Sequence, residues 1–573
     1  MKPRLFYCLA LPLALSAPAA AFTDPASGDI APYTAESGAP MDEIKQAMET
    51  PHLGLSLRVD PDSKSISGLA LYTVQAITPL DSVEFDLDPR FAISRISVNG
   101  TVRPDSSWKN DGGKLIIALP APIAADETVQ VEIAYSGEPR VAPNAPWDGG
   151  FVWARTPQGK DWIATAVQGT GCDLFWPCLD HPSKRVGVLD LVVTVPSGLT
   201  AASNGKLVSV EEKGGWSSYH WRAKAPNDYG VSLQIGPYEL AEAEYTSRYG
   251  NSFPIQFWHL PGQEENAESL IAEMHTYLDF FESTIGPYPF SDEKVGVAET
   301  PHKGMEHQTI NAYGNEFVAS PEGYDELMQH EFAHEWFANQ LTGARVSDLW
   351  LHEGFGTYMQ PLFLEWKDGH LAYDAAMWGL RKRIHSRVPV APHEEVSSTL
   401  YDDADAKWGQ DIYYKGAWIA HTLRGLIGDD AFFASLRRMV YGRPDPAPGN
   451  FAPRRGTTAE FRQIAEEESG RDLGWFFDAY LRQAELPRLI AEQDGRMLRL
   501  KWESGSDQTF AMPVDVQVSD RLVHVPMVDG TGSVDLILPD AHYVLDPFGM
   551  ILRDNPAIAA WQKQQQDKAK AGD

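Results

Sequence analysis

The residues best suited to chemistry sit in Gln329-His330-Glu331-Phe332-Ala333-His334-Glu335-Trp336. Two histidines four positions apart lie on one face of a helix, so His330 and His334 can reach the same metal ion. Glu331 projects at another angle and stays free to hold a water as a general base. A zinc site of this kind takes three protein ligands and keeps one open position. The third candidate is Glu353, in Trp350-Leu351-His352-Glu353-Gly354-Phe355.

The elements that must position these groups are legible around them. Leu327, Met328, Phe332, Trp336, Phe337 and Leu341 give an apolar helical pattern, with no Pro or Gly before Gly343. That predicts a helix over 324–341. A break at Thr342-Gly343 lets a second helix over 349–366 fold back and present Glu353 to the histidines. Further helices are expected over 265–284, 372–387, 416–426, 429–441, 458–468 and 475–483, with Pro487 as a stop. Together they make one helix-rich domain over 246–486.

Strands flank it on both sides. Leu53–Val59, Gly68–Val74, Ser82–Leu87, Lys114–Leu119, Thr128–Tyr135 and Leu189–Val195 alternate apolar and polar residues between regular turns. This is the pattern of an antiparallel β-sandwich, expected over 22–245. After Pro487, Met497–Trp502, Met512–Val518, Leu522–Met527 and Val534–Leu538 predict a small C-terminal β-sandwich over 487–555. The Gln/Lys/Ala-rich end, 556–573, is expected as a flexible tail.

The 573 residues require several domains, and 24 Phe, 21 Tyr and 17 Trp argue against disorder. A net charge of −31 excludes nucleic acid and anionic membrane as partners. Met1 to Ala21 has the form of a secretory signal: Lys2 and Arg4, an apolar run from Leu5 to Ser16, then Ala19-Ala20-Ala21. The run is too short for a transmembrane anchor, and no later segment is long and apolar enough to be one. An exported chain, periplasmic in a bacterium or secreted, is expected. Cys8 leaves with the signal, so Cys172 and Cys178 remain. On one extended strand six residues span about 20 Å, against a disulfide Cα limit near 7 Å. A turn over Asp173–Pro177 would permit a bridge; the spacing weighs against one and leaves it open.

H-E-x-x-H, eighteen residues, then Glu resembles the zinc signature of the gluzincin aminopeptidases, the family of aminopeptidase N and leukotriene hydrolase. The resemblance runs from about 50 to 555. It implies a multidomain fold: an N-terminal β-sandwich, a thermolysin-like, α-rich (α+β) catalytic domain and a β-sandwich. The C-terminal helical domain of many members has no counterpart here, which suggests a more open cleft. It implies one zinc ion on His330, His334 and Glu353, with Glu331 as base. In Ile412-Tyr413-Tyr414-Lys415-Gly416, similar to the family's Tyr-x-Lys-Gly, Tyr413 is the implied transition-state donor. Lys303-Gly304-Met305-Glu306-His307 resembles Gly-x-Met-Glu-Asn, so Gly304, Met305 and Glu306 are implied to meet substrate, Glu306 by pairing the α-ammonium. His307 replaces the family's Asn, and His352 replaces an Asn before the ligand Glu. Counting back from Pro177-Cys178 gives Gln168 as a second substrate partner. Asn339 and His352 are candidates for supporting the metal ligands, and Asp402-Asp403-Ala404-Asp405 for lining the pocket. The activity implied is zinc-dependent release of N-terminal residues from peptides with a free N-terminus. The alternatives are general metallopeptidase or epoxide hydrolase-like chemistry on the same site, or a catalytically silent scaffold. The sequence carries no signal for an oligomeric state.

Overall fold

The computed structural model describes residues 30–398, 410–448 and 451–571. The proposed signal segment, Met1–Ala21, and the acidic run at 402–405 lie outside the described residues.

The N-terminal domain is built on an eight-stranded sheet, accompanied by a four-stranded and a three-stranded sheet. The strand Met48–Asp60 is central, pairing antiparallel with Ser65–Ala76 on one side. On its other side it pairs parallel with Val186–Pro196. The sheet is therefore mixed where alternation alone predicted antiparallel pairing throughout. The two parallel strands are separated by a long intervening chain, and only such a long crossover permits parallel neighbours. Alternate side chains enter a core that includes Leu53, Leu55, Tyr72, Phe85 and Trp221.

Sheet pairing moves the first domain boundary. Glu239–Thr246 forms a hairpin with Ser252–His259, and this pair continues into Val295–Glu299 and Asn311–Tyr313 as one four-stranded sheet. Glu239–Thr246 thus belongs with the catalytic half, and the expected boundary at 245/246 would cut a hairpin.

Helix α1 (Glu264–Thr284) covers that sheet. Helix α2 (Glu326–Ala333) carries His330, has His334 as its C-cap, and is shorter than expected. Asp325 caps it, accepting from the Met328 N–H at 2.9 Å. Tyr313 Oη donates to the same carboxylate at 2.5 Å, so the cap also anchors the helix to the sheet. The expected helix over 324–341 stops because Phe337 takes φ −114°, ψ 60° inside a wide turn over Glu335–Gln340. Met328, Phe332 and Trp336 still enter the core, where Trp336 stacks on Phe281 at 4.4 Å. Leu341–Gly343 then runs as a short strand. The chain returns in α3 (Trp350–Asp368), beside α4 (His370–Arg381) and α5 (Asp411–Ile427).

The C-terminal part is two three-stranded sheets between Arg488 and Leu545. Its core is continuous with the catalytic half: Phe510 meets Trp475 at 5.1 Å and Tyr480 at 5.5 Å. The expected flexible tail is instead a helix, Pro556–Ala571. Pro at its first position and helix-forming Gln, Lys and Ala favour it. Asn555 Oδ1 accepts from the Ala557 N–H at 3.0 Å, and Gln562 donates to the carbonyls of Lys382 (2.9 Å) and Ile384 (2.8 Å). Composition alone does not reveal that docking.

Candidate active site

Helices α2 and α3 bring the three expected ligands together. His330 Nε2 and His334 Nε2 are 3.2 Å apart. Glu353 Oε2 lies 3.5 Å from the first and 3.4 Å from the second. Ligand atoms about 2.0–2.1 Å from one tetrahedral ion are separated by distances of this size. His334 Nδ1 is 3.0 Å from the Phe337 carbonyl, which only accepts. That places the proton on Nδ1 and turns the Nε2 lone pair into the cluster. The wide turn after α2 is what aims this carbonyl. Glu353 Oε2 is buried without a hydrogen-bond partner, as expected of an oxygen meant for a cation. The donor set, two imidazoles and a carboxylate, fits zinc.

Two glycines make room for these groups. A Cβ on Gly304 would lie 2.2 Å from Glu331 Oε1, so the Glu331 carboxylate rests against a backbone that must lack a side chain. A Cβ on Gly356 would lie 2.9 Å from His334 Cε1. A second close approach joins α3 to α5: a Cβ on Gly416 would lie 2.8 Å from the Gly354 Cα. This crossing lets α5 lean in far enough to set the Tyr413 ring 6.1 Å from the His330 ring. The glycine three residues after Tyr413 thus serves packing, and the tyrosine follows from it.

Glu306 stands beside the ligands. Oxygen or nitrogen atoms of Glu306, Glu331 and His334 fall within 4.8 Å of one another. Gln168, from the N-terminal domain, donates to Glu306 Oε1 at 2.6 Å and approaches Glu353 Oε1 at 3.4 Å. Tyr229 Oη donates to the same Glu306 oxygen at 3.1 Å. That one oxygen thereby holds two donors. Burial pushes Glu306 up to about 7; His334, when protonated, opposes the rise and Glu353 adds to it. Burial, then Glu306, raises Glu331 above the usual carboxylate range. Three carboxylates against two imidazoles form a site whose complement is a cation, or two.

The cleft has a volume of about 670 Å³ and is lined by Gln168, Gly304, Met305, Glu306, His330, Glu331, His334, Glu353 and Tyr413 among others. All nine sequence-derived site residues therefore meet in one place. Met305 is buried and bridges Ala312 through backbone bonds at both its N–H and its carbonyl, holding the segment flat beside the sheet. His307 does not line the cleft; it is buried behind it, 3.3 Å from Gln234 Nε2, and burial pulls its pKa down to about 3. His352 is no ligand either. Its Nε2 accepts from the Gly343 N–H at 2.7 Å and braces the link between the two ligand helices. Asn339 supports Glu306 rather than the metal ligands, donating to the Glu306 carbonyl at 2.9 Å and to Glu335 at 3.2 Å. Tyr229 escaped the sequence reading because it lies in a short turn, Asp228–Gly230, with no motif around it.

The cysteines correct the spacing argument. Cys172 and Cys178 are bridged, their Cα atoms 6.2 Å apart. The chain is not extended between them: a 3₁₀ turn over Cys172–Leu174 folds it back.

Comparison with known proteins agrees with this geometry. Residues 270–480 match the Peptidase family M1 domain, and residues 49–227 match the Peptidase M1 N-terminal domain. Human aminopeptidase B is 25% identical over 437 residues, covering 69% of this chain and 63% of that protein. Probable aminopeptidase 1 of Saccharolobus solfataricus is 22% identical, covering 63% of this chain and 47% of that protein. The chain spans about a third to two thirds of the length of the curated relatives it matches. An M1 zinc metallopeptidase of Deinococcus radiodurans, solved with a Tyr-Ser-Ala substrate, shares the fold at a TM-score of 0.66 and 23% identity, over 79% of this chain and 98% of that one. With both family domains matched in order and His330, His334 and Glu353 assembled within the second, the chain belongs to peptidase family M1, the zinc metallopeptidases.

Proposed function

We propose that this chain is an exported aminopeptidase that uses one zinc ion on His330, His334 and Glu353 to release N-terminal residues from peptides. The observation that carries the reading is Glu306. A carboxylate with one oxygen held by Gln168 and Tyr229, and with Glu331 and His334 close by, offers its other oxygen to an α-ammonium. A free amine seated there puts the first peptide bond, and no later one, beside the ligand cluster.

Zinc, when bound, supplies a Lewis acid that polarises the scissile carbonyl and acidifies water. The protein supplies the rest. Glu331 takes a proton from the attacking water and passes it to the leaving amine. Burial raises Glu331 above the usual carboxylate range, the direction that favours holding a proton between the two transfers. Tyr413, across from His330, donates a hydrogen bond to the carbonyl oxygen as it gains charge. Gln168 and Tyr229 orient Glu306, and Gly304 leaves Glu331 the space it occupies.

The first test uses an aminoacyl anilide and its N-acetylated twin, each with and without a zinc chelator. Cleavage of the free amine alone, lost on chelation and restored by zinc, is the expected result. Equal cleavage of both would overturn the aminopeptidase reading in favour of a general metallopeptidase. Export is supported by the composition of Met1–Ala21 and by the Cys172–Cys178 bridge, which suits an oxidising compartment. A mature mass that lacks those residues is expected; an intact N-terminus would refute export.

A further inference from the structure

A second cluster of charge lies behind the loop that delivers Gln168. Each bridged cysteine has an aspartate just beyond it: Asp173 follows Cys172, and Asp180 lies two residues after Cys178. The bridge brings both carboxylates to Gly171. A Cβ there would lie 2.4 Å from Asp173 Oδ1 and 2.7 Å from Asp180 Oδ2. Gly171 has φ +103°, so the chain both turns and leaves the gap where only glycine fits.

The bases nearby are committed to other acids. Lys45 Nζ lies 2.8 Å from both oxygens of Asp86. Lys114 pairs with Asp42, and with Glu84 at 3.3 Å. Arg90 holds Asp88 at 3.0 Å. Among the described residues, no base is within ion-pair distance of Asp173 or Asp180. Asp173 is 1% exposed, and neither of its oxygens has a hydrogen-bond partner. The buried Thr34 hydroxyl faces the same carboxylate, while Asp180, only half-buried, accepts from the Ser37 hydroxyl and the Cys172 N–H. Burial, together with Asp180, Asp86 and Asp88, pushes Asp173 well above the usual carboxylate range.

A carboxylate removed from water and given no donor is among the costliest groups to bury. Either a proton or a cation must neutralise Asp173, and Asp180 beside it adds a second negative charge. Two carboxylates from different turns, joined by a hydroxyl oxygen, make an all-oxygen donor set, and the two oxygens at Gly171 are close enough for one ion with ligands at about 2.3–2.6 Å. With the cysteines bridged, no histidine or cysteine among the described residues joins this pair to favour zinc. We propose that Asp173 and Asp180, with the Thr34 hydroxyl, hold a calcium ion that braces the loop carrying Gln168. Thr170 and Gly171 both return N–H bonds to the Val167 carbonyl, at 3.2 and 2.9 Å, so this loop is continuous with Gln168.

The test keeps the zinc-loaded protein intact. Calcium is stripped on a chelating resin, zinc is restored to one equivalent, and the protein is dialysed against about 1 mM calcium chloride, within the range where weak oxygen sites fill. Metal analysis should find calcium and zinc in equal amounts, and the thermal midpoint should rise by several degrees with calcium. Asp173→Asn and Asp180→Asn should each abolish the calcium and the shift while zinc stays. Thr34→Val, which removes no charge, should weaken calcium about tenfold and covers the case in which an aspartate variant fails to fold. Wild-type protein with no calcium and no shift would overturn the proposal and assign a shared proton to the pair. Calcium retained in the variants would also overturn it, as an adventitious ion.

Discussion

Gly304→Ala separates the proposed general base, Glu331, from the proposed metal ligands. The new Cβ would lie 2.2 Å from Glu331 Oε1 and 2.6 Å from its Cδ and Cγ, against ordinary contacts that begin at 3.4 Å. The Glu331 side chain must therefore retreat by about 1 Å, a displacement that costs on the order of 100-fold when it affects a reacting group. That lies at the low end of the 10²–10⁴ that general base catalysis contributes and equals about 2.7 kcal/mol of barrier. Gly304 is not in the left-handed region, so alanine meets no backbone penalty there. Glu331 is not a ligand, so zinc should stay. Gly356→Ala provides the contrast. Its Cβ presses on His334 Cε1 at 2.9 Å, from a helix interior where alanine is otherwise favourable. The expected pattern is a roughly 100-fold lower kcat with full zinc for Gly304→Ala, and weakened zinc with unchanged or improved thermal stability for Gly356→Ala. Anilide hydrolysis at saturating zinc, metal analysis and a melting curve on each variant decide the matter. Retention by Gly304→Ala of more than a third of the wild-type kcat, or its loss of zinc, would refute the reasoning.

The other expectations concern single groups. Glu331→Gln should lower turnover by about 10²–10⁴ while zinc remains bound; unchanged turnover would remove Glu331 from the mechanism. Tyr413→Phe should cut kcat by about 10²–10³ and leave KM within about threefold, since its hydrogen bond strengthens only as the oxygen gains charge; a change confined to KM would instead make it a binding residue. In the proposed role Glu306 would bind an ammonium only when ionised, and burial pushes it up to about 7. Bound zinc pulls it down again, so kcat/KM should fall with acid along a limb below pH 7 and be complete above it. Tyr229→Phe removes a donor to the ionised form, so that limb should move to higher pH and KM should rise. A pH profile identical to wild type would show that Tyr229 only packs.

What was legible in the sequence is what a local period controls. The four-residue spacing of His330 and His334 means one helical face wherever a helix forms, and the apolar pattern from Leu327 to Trp336 ensured that one did. Alternation likewise announced the strands from Leu53 to Val195 and from Met497 to Val534. Resemblance extended this to Glu353, Tyr413, Glu306 and Gln168, which lie too far apart in the chain for spacing alone to unite them. Tertiary structure decided the rest, because contacts through space leave no period. The parallel pairing of Met48–Asp60 with Val186–Pro196 depends on a crossover that no short window contains. The docking of Pro556–Ala571 depends on carbonyls at Lys382 and Ile384, far back in the chain. The bridge between Cys172 and Cys178 depends on a turn that the expectation of extended chain concealed. Tyr229 reaches Glu306, and Gly304 yields to Glu331, because separate elements were packed to within a few ångströms. The sequence named the groups that do chemistry; packing set the distances at which they can do it.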